Sequence, residues 1–225
     1  EIHDYARLTG MLFPFYPEAL KSASYEAHIG GDLILWDQDR TRHDQQIMRG
    51  QPLVLSANSI TFVQVEPRFR LPNYLAIRFN LRITHVHRCL LLGTGPLVDP
   101  GFEGKLLIPL HNLTATPYAL DTDQALIWIE FTKTTSGHRP EESIASRHRH
   151  FALFPADKKN LTADYYLYKA SRGAPILSSI PDALAQGRRD AADAAKNAGD
   201  ARHDARRAQS WVTAISIVGL AALGI

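Results

Sequence analysis

The residues best placed to do chemistry lie in one block, residues 96–112, which reads PLVDPGFEGKLLIPLHN. Asp99 precedes a Pro-Gly pair, which favours a tight turn because proline fixes φ and glycine accepts positive φ. The turn is predicted to hold the Asp99 carboxylate at a strand end, where it faces a bound ligand or bonds its own backbone. Phe102 follows the turn and supplies an aromatic ring beside that carboxylate.

The chain contains ten histidines and one cysteine, and these numbers limit the kinds of metal site that it can form. Cys89 alone cannot form a disulfide framework or a cysteine-rich cage, which excludes zinc-dependent nucleobase deaminases. His85 and His87 lie two apart on a predicted strand and would share a face, and His111 lies on another strand. A three-histidine metal site is therefore geometrically possible. Our prediction is nevertheless that the chain holds no metal of its own.

The elements that must position these residues are mostly strands. Apolar residues occupy every second position from 75 to 83, and a period of two predicts a half-buried strand. Shorter strands are predicted at 53–55, 60–65, 105–110 and 125–131. Many short strands separated by turn residues are typical of a sandwich or barrel. We therefore predict a β domain over residues 1–180.

Several polar segments have two interpretations. Residues 134–149 are predicted to form a surface loop, and the basic run 147–150 is either solvated or a contact for an anion. The same alternatives hold for the adjacent lysines 158 and 159. Glycosylation sequons begin at Asn112 and Asn160, and they matter only if the domain lies outside the cell.

The spacing changes abruptly after residue 180. Small residues recur at intervals of four and three from Gly187 onwards, which predicts a helix over 181–210 with a heptad seam. Alanine at nearly every seam position allows helices to approach closely but buries little area. The helix is either a lone solvated helix or a self-associating stalk, and we favour the stalk.

Residues 211–225, WVTAISIVGLAALGI, carry no charge. Fifteen residues are fewer than the roughly 20 that span a bilayer, so we expect a truncated transmembrane segment, with a short helix buried in an oligomer as the alternative. Arg202, Arg206 and Arg207 precede the segment, which by the positive-inside rule predicts a membrane-anchored protein whose β domain is cytoplasmic.

Length and charge add two limits. A chain of 225 residues can bury one main domain with an appendage. The formal net charge of +2 is too small to indicate nucleic-acid binding. The chain begins with Glu and shows no signal peptide, so we expect it to be part of a longer polypeptide.

Five blocks in order resemble the dUTPase and dCTP deaminase superfamily, most closely its dCTP deaminase branch. Residues 22–30, SASYEAHIG, are similar to the first conserved strand, with Glu26 and His28 in place of an Asp and an Arg. The other four blocks are the strand that ends in Glu66 before Leu-Pro, the block around Asp99, the hairpin at 115–120, and the segment 168–173.

The resemblance implies a distorted β-barrel or jelly roll of the trimeric dUTPase type, with ligand sites between subunits. It also implies that catalysis is degenerate. Pro109 stands where dCTP deaminases carry their catalytic glutamate, and a proline has no titratable group to act as a base. The phosphate-binding Gly-Arg-Ser-Ser motif is replaced by FNLRI, in which Arg82 is the best surviving arginine. Ser171 replaces an expected glutamine.

By resemblance to the dUTPase branch, Asp99 orients the attacking water and Phe102 packs on the deoxyribose. The predicted ligand residues are therefore Arg82, Asp99, Phe102, Tyr168 and Lys169, and Asp99 is catalytic only if the protein is active. No cofactor is expected, and Mg²⁺ would arrive only with a bound nucleoside triphosphate.

We therefore expect a homotrimeric, membrane-tethered and catalytically degenerate domain that acts as a nucleotide sensor or effector, with bacterial antiviral defence as a suggested context. One alternative is an active nucleoside triphosphate hydrolase or deaminase that uses Asp99. A second alternative is a structural trimerisation module that binds no small ligand.

Overall fold

The computed structural model of the chain describes residues 1–92, 97–135, 153–159 and 161–222. The chain divides into two compact units, Glu1–Ser178 and Ser179–Ile225, which are treated separately below. The basic run 147–150, most of the polar loop at 134–149, Asn160 and the last three residues of the 211–225 segment lie outside the described residues.

The first unit is mainly β, as the sequence predicts. Its described helices are α1 (Ile2–Thr9), α2 (Ile83–Val86) and α3 (Ala163–Ser171), with short 3-10 turns at Pro17–Ala19 and Ala156–Lys158. Its described strands are β1 (Leu12–Phe13), β2 (Tyr25–Ala27), β3 (Ile29–Trp36), β4 (Arg42–Ile47), β5 (Pro52–Leu55), β6 (Ser59–Arg70), β7 (Leu75–Leu81), β8 (Leu90–Leu91), β9 (Leu97–Val98), β10 (Glu103–Asn112), β11 (Tyr118–Asp121) and β12 (Ile127–Lys133).

The strands form three sheets around one core. The largest sheet has the order β4-β3-β6-β10-β8, with β1 also paired to β6. A second sheet has the order β2-β12-β7-β9, and β11 pairs with β5 in a third. One hydrophobic cluster draws side chains from all three, including Val63, Ile77, Leu55 and Ile129. The unit is therefore held together by burial of apolar side chains between sheets.

The expected closed barrel is not found among the described residues. The two larger sheets share no hydrogen-bonded edge there, since the large sheet ends at β8 and the four-stranded sheet ends at β9. Each of these end strands is only two residues long. Closure of a barrel requires every strand to pair on both sides, and such short strands leave the sheets open.

The predicted strand over 75–83 is wrong at its end. The strand β7 stops at Leu81, and residues 83–86 form the helix α2. The Arg82 amide still donates to the Leu126 carbonyl at 3.0 Å, but the Arg82 carbonyl accepts from the His85 amide at 2.9 Å. The alternation of apolar and polar residues therefore continues in the sequence beyond Leu81, where the strand ends and the backbone turns into α2.

The second unit contains the helix α4, Ile180–Ala222, of 43 residues. The side chains from Asp182 to Thr213 are exposed, including the alanines of the heptad seam. Self-association of that seam stays a prediction. No helix in the described part of the chain is long and apolar enough to cross a membrane, so the predicted transmembrane segment is not supported.

Candidate functional site

The turn after β9 has the geometry that its sequence predicts. The Phe102 amide donates to the Asp99 carbonyl at 3.2 Å, and Gly101 has a φ of 80°. A Cβ on Gly101 would lie 2.5 Å from Asn73 Oδ1 and 2.7 Å from Phe154 Cβ. Only glycine accepts both the positive φ and this close approach. The turn therefore packs Gly101 closely against Asn73 and Phe154.

A cavity of about 260 Å³ opens beside Asp99. The Asp99 side chain is exposed, and no hydrogen bond or ion pair to its carboxylate occurs among the described residues. The hydroxyl of Thr134, another lining residue, is buried without a hydrogen-bond partner. The other lining residues include Asn73, Thr135 and Phe154. The arrangement can accept a hydrogen bond at Asp99 and offers donors at Asn73 and Thr135.

Phe102 does not line this cavity. Its ring is half-buried against the main core and meets the Phe154 ring edge-to-face, with centroids 6.1 Å apart. A Cβ on Gly104 would lie 3.1 Å from the Phe102 ring, so the glycine makes room for the aromatic group. Within one chain, Phe102 therefore packs the turn onto the core.

Pro109 faces apolar side chains. It lies directly opposite Phe62 in the antiparallel pairing of β10 with β6, and directly opposed residues point to the same face of a sheet. Phe62 belongs to a small buried cluster with Ile34 and with Leu167 of α3. The position that Pro109 occupies therefore offers neither a titratable group nor a polar lining from its cross-strand partner.

Arg82 is held within its own chain. Its Nη1 donates to the Ala125 carbonyl at 3.3 Å, and its Nε lies 4.0 Å from the Glu26 carboxylate. Arg82 lines neither the Asp99 cavity nor the second cavity described below. Its guanidinium is therefore committed to the junction between β2 and the start of α2.

Tyr168 and Lys169 lie on α3. The Thr162 hydroxyl caps this helix by accepting from the Tyr165 amide at 3.1 Å. The Tyr168 side chain is 62% exposed and Lys169 is exposed. Neither residue lines the Asp99 cavity. In the described part of the chain, Asp99 is the one of the five predicted ligand residues that lines either of these two cavities.

The histidines of the three-histidine alternative do not converge. His85 is buried in α2 with its Nδ1 2.9 Å from the Tyr118 hydroxyl, and burial lowers the pKa of His85. His87 follows the helix and is exposed, while His111 lies on β10. In the part of the chain that the structure describes, no group of three His, Cys, Asp or Glu side chains could hold a metal ion.

A polar cluster beside the core was missed as a unit by the sequence analysis. The Tyr16 hydroxyl donates to Glu66 Oε1 at 3.1 Å, and His28 Nδ1 lies 4.0 Å from Glu66 Oε2. His28 Nδ1 and Glu66 Oε2 are both buried, and neither has a hydrogen-bond partner among the described residues. Burial, and then the charge of Arg49, lower the pKa of His28. The available signal was that His28 and Glu66 fall in two of the blocks that carry the resemblance.

A second cavity, of about 280 Å³, lies on the large sheet beside the start of α3. Lys159 lines this cavity. The sequence leaves two interpretations of Lys159 open, solvated surface or a contact for an anion. The lining of the cavity is strongly charged. It shares no lining residue with the Asp99 cavity.

Comparisons with known proteins give structural neighbours only. No family model matches the chain, and no curated protein matches it. The chain is similar to 2′-deoxycytidine 5′-triphosphate deaminase from Agrobacterium tumefaciens, with 14% identity over 60% of this chain and 47% of the deaminase and a TM-score of 0.49. It is also similar to native EIAV dUTPase, with 13% identity over 49% of this chain and 91% of the dUTPase and a TM-score of 0.36. The chain thus spans about half of the deaminase's length.

Proposed function

We propose that the first unit binds a deoxynucleotide at the Asp99 cavity without converting it, and that it acts as a nucleotide-responsive regulatory module. The observation that carries the proposal is the unpaired Asp99 carboxylate in a cavity of about 260 Å³. A carboxylate accepts hydrogen bonds only, so its partners on a ligand are hydroxyl or amino groups. A deoxyribose hydroxyl and an exocyclic base amine are both such groups.

The absence of turnover rests on Pro109. Deamination and hydrolysis both require a base that takes a proton from water, and that base must lie within hydrogen-bond reach of the water. The sequence places Pro109 where the dCTP deaminase branch has its base, and Pro109 lies opposite Phe62. Asp99 alone then binds and orients a ligand.

A homotrimer would complete the site. Tyr168 and Lys169 are exposed on α3, so they are available to a neighbouring subunit rather than to their own Asp99 cavity. Lys169 supplies a positive charge for a ligand phosphate, and a triphosphate would bring its own Mg²⁺. Arg82 contributes only if it leaves Glu26 and the Ala125 carbonyl.

The test uses the full chain with each deoxynucleoside triphosphate and Mg²⁺. Binding is measured by calorimetry, and products are resolved by ion-exchange chromatography. We expect saturable binding without turnover and at least a tenfold loss of affinity in Asp99→Asn. Asp39→Asn, a change at another exposed aspartate, serves as the matched control. Turnover that disappears in Asp99→Asn would instead indicate an enzyme, and neither binding nor turnover would indicate a structural module.

The regulatory part of the proposal concerns α4. If ligand binding changes the packing of the predicted alanine seam, then cross-linking between helices of different subunits should change. Ala198→Cys lies on the seam and Lys196→Cys lies on the opposite face, both in a Cys89→Ser background that removes the natural cysteine. We expect the nucleotide to alter the cross-linking rate at position 198 only. An unchanged rate at saturating nucleotide would refute the coupling.

Membrane attachment through residues 211–225, with the first unit in the cytoplasm, and a role in antiviral defence stay predictions from the sequence. The regulatory proposal does not depend on them. Carbonate extraction of cell membranes tests the attachment, with a chain truncated after residue 210 as the control. Equal extraction of both chains would argue against an anchor.

A further inference from the structure

We propose that the cavity of about 280 Å³ on the large sheet is a second ligand site, which binds a phosphate group through Lys105 and Lys159. This site is independent of the deoxynucleotide proposed for the Asp99 cavity. Six charged side chains line it: Asp32, Arg68, Glu103, Lys105, Lys159 and Asp164. Three are acidic and three are basic, so the net charge of the site depends on which of them already have a partner of opposite charge within the chain.

Every carboxylate of the cavity already has a partner within the chain. Asp32 accepts from Gln64 Nε2 at 3.0 Å and also from the Gln46 amide. Glu103 pairs with Arg68 at 3.4 Å. The remaining carboxylate, that of Asp164, pairs with Arg42 at 2.5 Å.

The two lysines have no such partners. Neither the Lys105 nor the Lys159 ammonium forms an ion pair or hydrogen bond with any of the described residues. Arg68 is paired with Glu103, and Asp164 is paired with Arg42. Asp32 is bonded only to neutral amides and keeps its negative charge, so the two lysines leave the cavity with a surplus of one positive charge. A polar cavity with two unpaired cations favours a small anion.

Lys105 is placed in the cavity by the shape of the sheet. It is half-buried on β10, where the register with β6 shifts between Lys105 and Leu107. Across the sheet, Gly31 has a φ of 123°, and a Cβ there would lie 3.3 Å from Lys105 Nζ and 2.1 Å from Gln64 Oε1. The glycine leaves room for the Lys105 ammonium and the Gln64 amide to lie side by side. Lys105 has no counter-ion among the described residues, and a bound anion would supply one.

The volume of the cavity limits the size of the ligand that it can bind. Cavities for drug-sized ligands measure about 300–1,000 Å³, and this one is just below that range. It has room for inorganic phosphate, pyrophosphate or a small phosphorylated metabolite. A lysine is a compact point charge with three donors, which matches the oxygens of a phosphate.

The test measures binding of inorganic phosphate, pyrophosphate and ribose 5-phosphate to the full chain by calorimetry at constant ionic strength. We expect saturable binding of at least one of them. Lys105→Gln should weaken it at least tenfold and Lys159→Gln severalfold, whereas Lys105→Arg should retain it. Lys158→Gln is the matched control, since Lys158 adjoins Lys159 but does not line the cavity. Asp99→Asn should leave this binding unchanged, which separates the site from the proposed nucleotide site.

The melting temperature provides a second measurement, and it distinguishes a folded variant that no longer binds the anion from a variant that is misfolded. Without anion, Lys105→Gln should melt at or above the wild-type temperature, because the unpaired charge has been removed. At the same anion concentration, the wild type and Lys158→Gln should gain stability, whereas Lys105→Gln should gain little. No saturable binding to the wild type, or equal binding by Lys105→Gln and Lys158→Gln, would overturn the proposal.

Discussion

Pro109 of β10 lies directly opposite Phe62 of β6, on the sheet face where Phe62 packs against Leu167 of α3. The helix α3 therefore supplies an apolar cover close to the position that, by resemblance, would carry a catalytic base. Pro109 itself has no carboxylate, and its cross-strand neighbour Phe62 belongs to an apolar cluster.

A carboxylate introduced at position 109 should not produce deaminase activity. In Pro109→Glu the new side chain lies beside an apolar cluster. The segment FNLRI also still lacks the paired hydroxyls of the phosphate-binding Gly-Arg-Ser-Ser motif with which it was compared. We expect no ammonia release from dCTP in a coupled assay, and a loss of about 1–3 kcal/mol in the free energy of unfolding from burying an unpaired charge. Pro109→Ala controls for loss of the proline. Ammonia release by Pro109→Glu would show that the rest of a deaminase site is intact.

Asn112 should be among the most sensitive residues of the first unit. It is 1% exposed, and its Nδ2 donates to the carbonyls of Leu55, Ser56 and Thr116 at 2.8–3.2 Å. Its Oδ1 accepts from the Thr114 amide at 3.0 Å. Asn112→Asp keeps the shape but turns a carboxylate towards three carbonyl oxygens. We expect a loss of about 3 kcal/mol or more, measured by urea denaturation.

Asn80→Asp provides the matched control for Asn112, because Asn80 is an exposed residue of β7. It should change stability by less than about 0.5 kcal/mol. Equal stability of the two variants would contradict the hydrogen-bond network described for Asn112. The same network uses the side-chain amide that a glycan would need, so the sequon at Asn112 is not a usable glycosylation site in the folded chain.

Much of the first unit follows from periodicity. The strands predicted at 53–55, 60–65, 105–110 and 125–131 overlap β5, β6, β10 and β12. In β5 and β12 burial alternates along the strand and leaves a period of two in the sequence, whereas residues 61–65 of β6 are all buried. The Asp99 turn also follows from its Pro-Gly pair. Local chemistry alone determines these features.

The strand β4 could not be predicted in this way. It reads RHDQQI and is mostly exposed at the end of the large sheet, so it has no apolar alternation to detect. The two cavities escaped prediction for a related reason. The residues that line the second cavity come from β3, β6, β10 and the start of α3, and only the register between those elements brings them together.

Two glycine-to-alanine changes should have opposite effects. At Gly101, the φ of 80° and the contacts with Asn73 and Phe154 leave no room for a Cβ, so Gly101→Ala should cost about 1–3 kcal/mol and distort the Asp99 cavity. At Gly199 in α4, a Cβ meets nothing within 4 Å, so Gly199→Ala should favour the helix by about 1 kcal/mol. Thermal melting and circular dichroism at 222 nm measure both. A neutral Gly101→Ala would argue against the described turn.

The stability of the first unit should fall as the pH drops below about 6.5, the ordinary pKa of histidine. Burial is the largest cause that lowers the pKa of His28, His85 and His111 in the folded chain. The unfolded chain therefore binds protons that the folded chain does not, and acidification through this window favours unfolding. Asp37, whose pKa is lowered from 3.8 by its hydrogen bond to His43, titrates below the window.

Around His28, the charge of Arg49 lowers the pKa further, whereas Glu66 and Asp123 raise it. His28→Gln removes one of the three titrating groups and should reduce the dependence of the urea midpoint on pH between 7.5 and 5. A wild-type midpoint that is constant or rises on acidification would mean that His28 Nδ1 gains a proton and closes its 4.0 Å gap to Glu66 in the folded state.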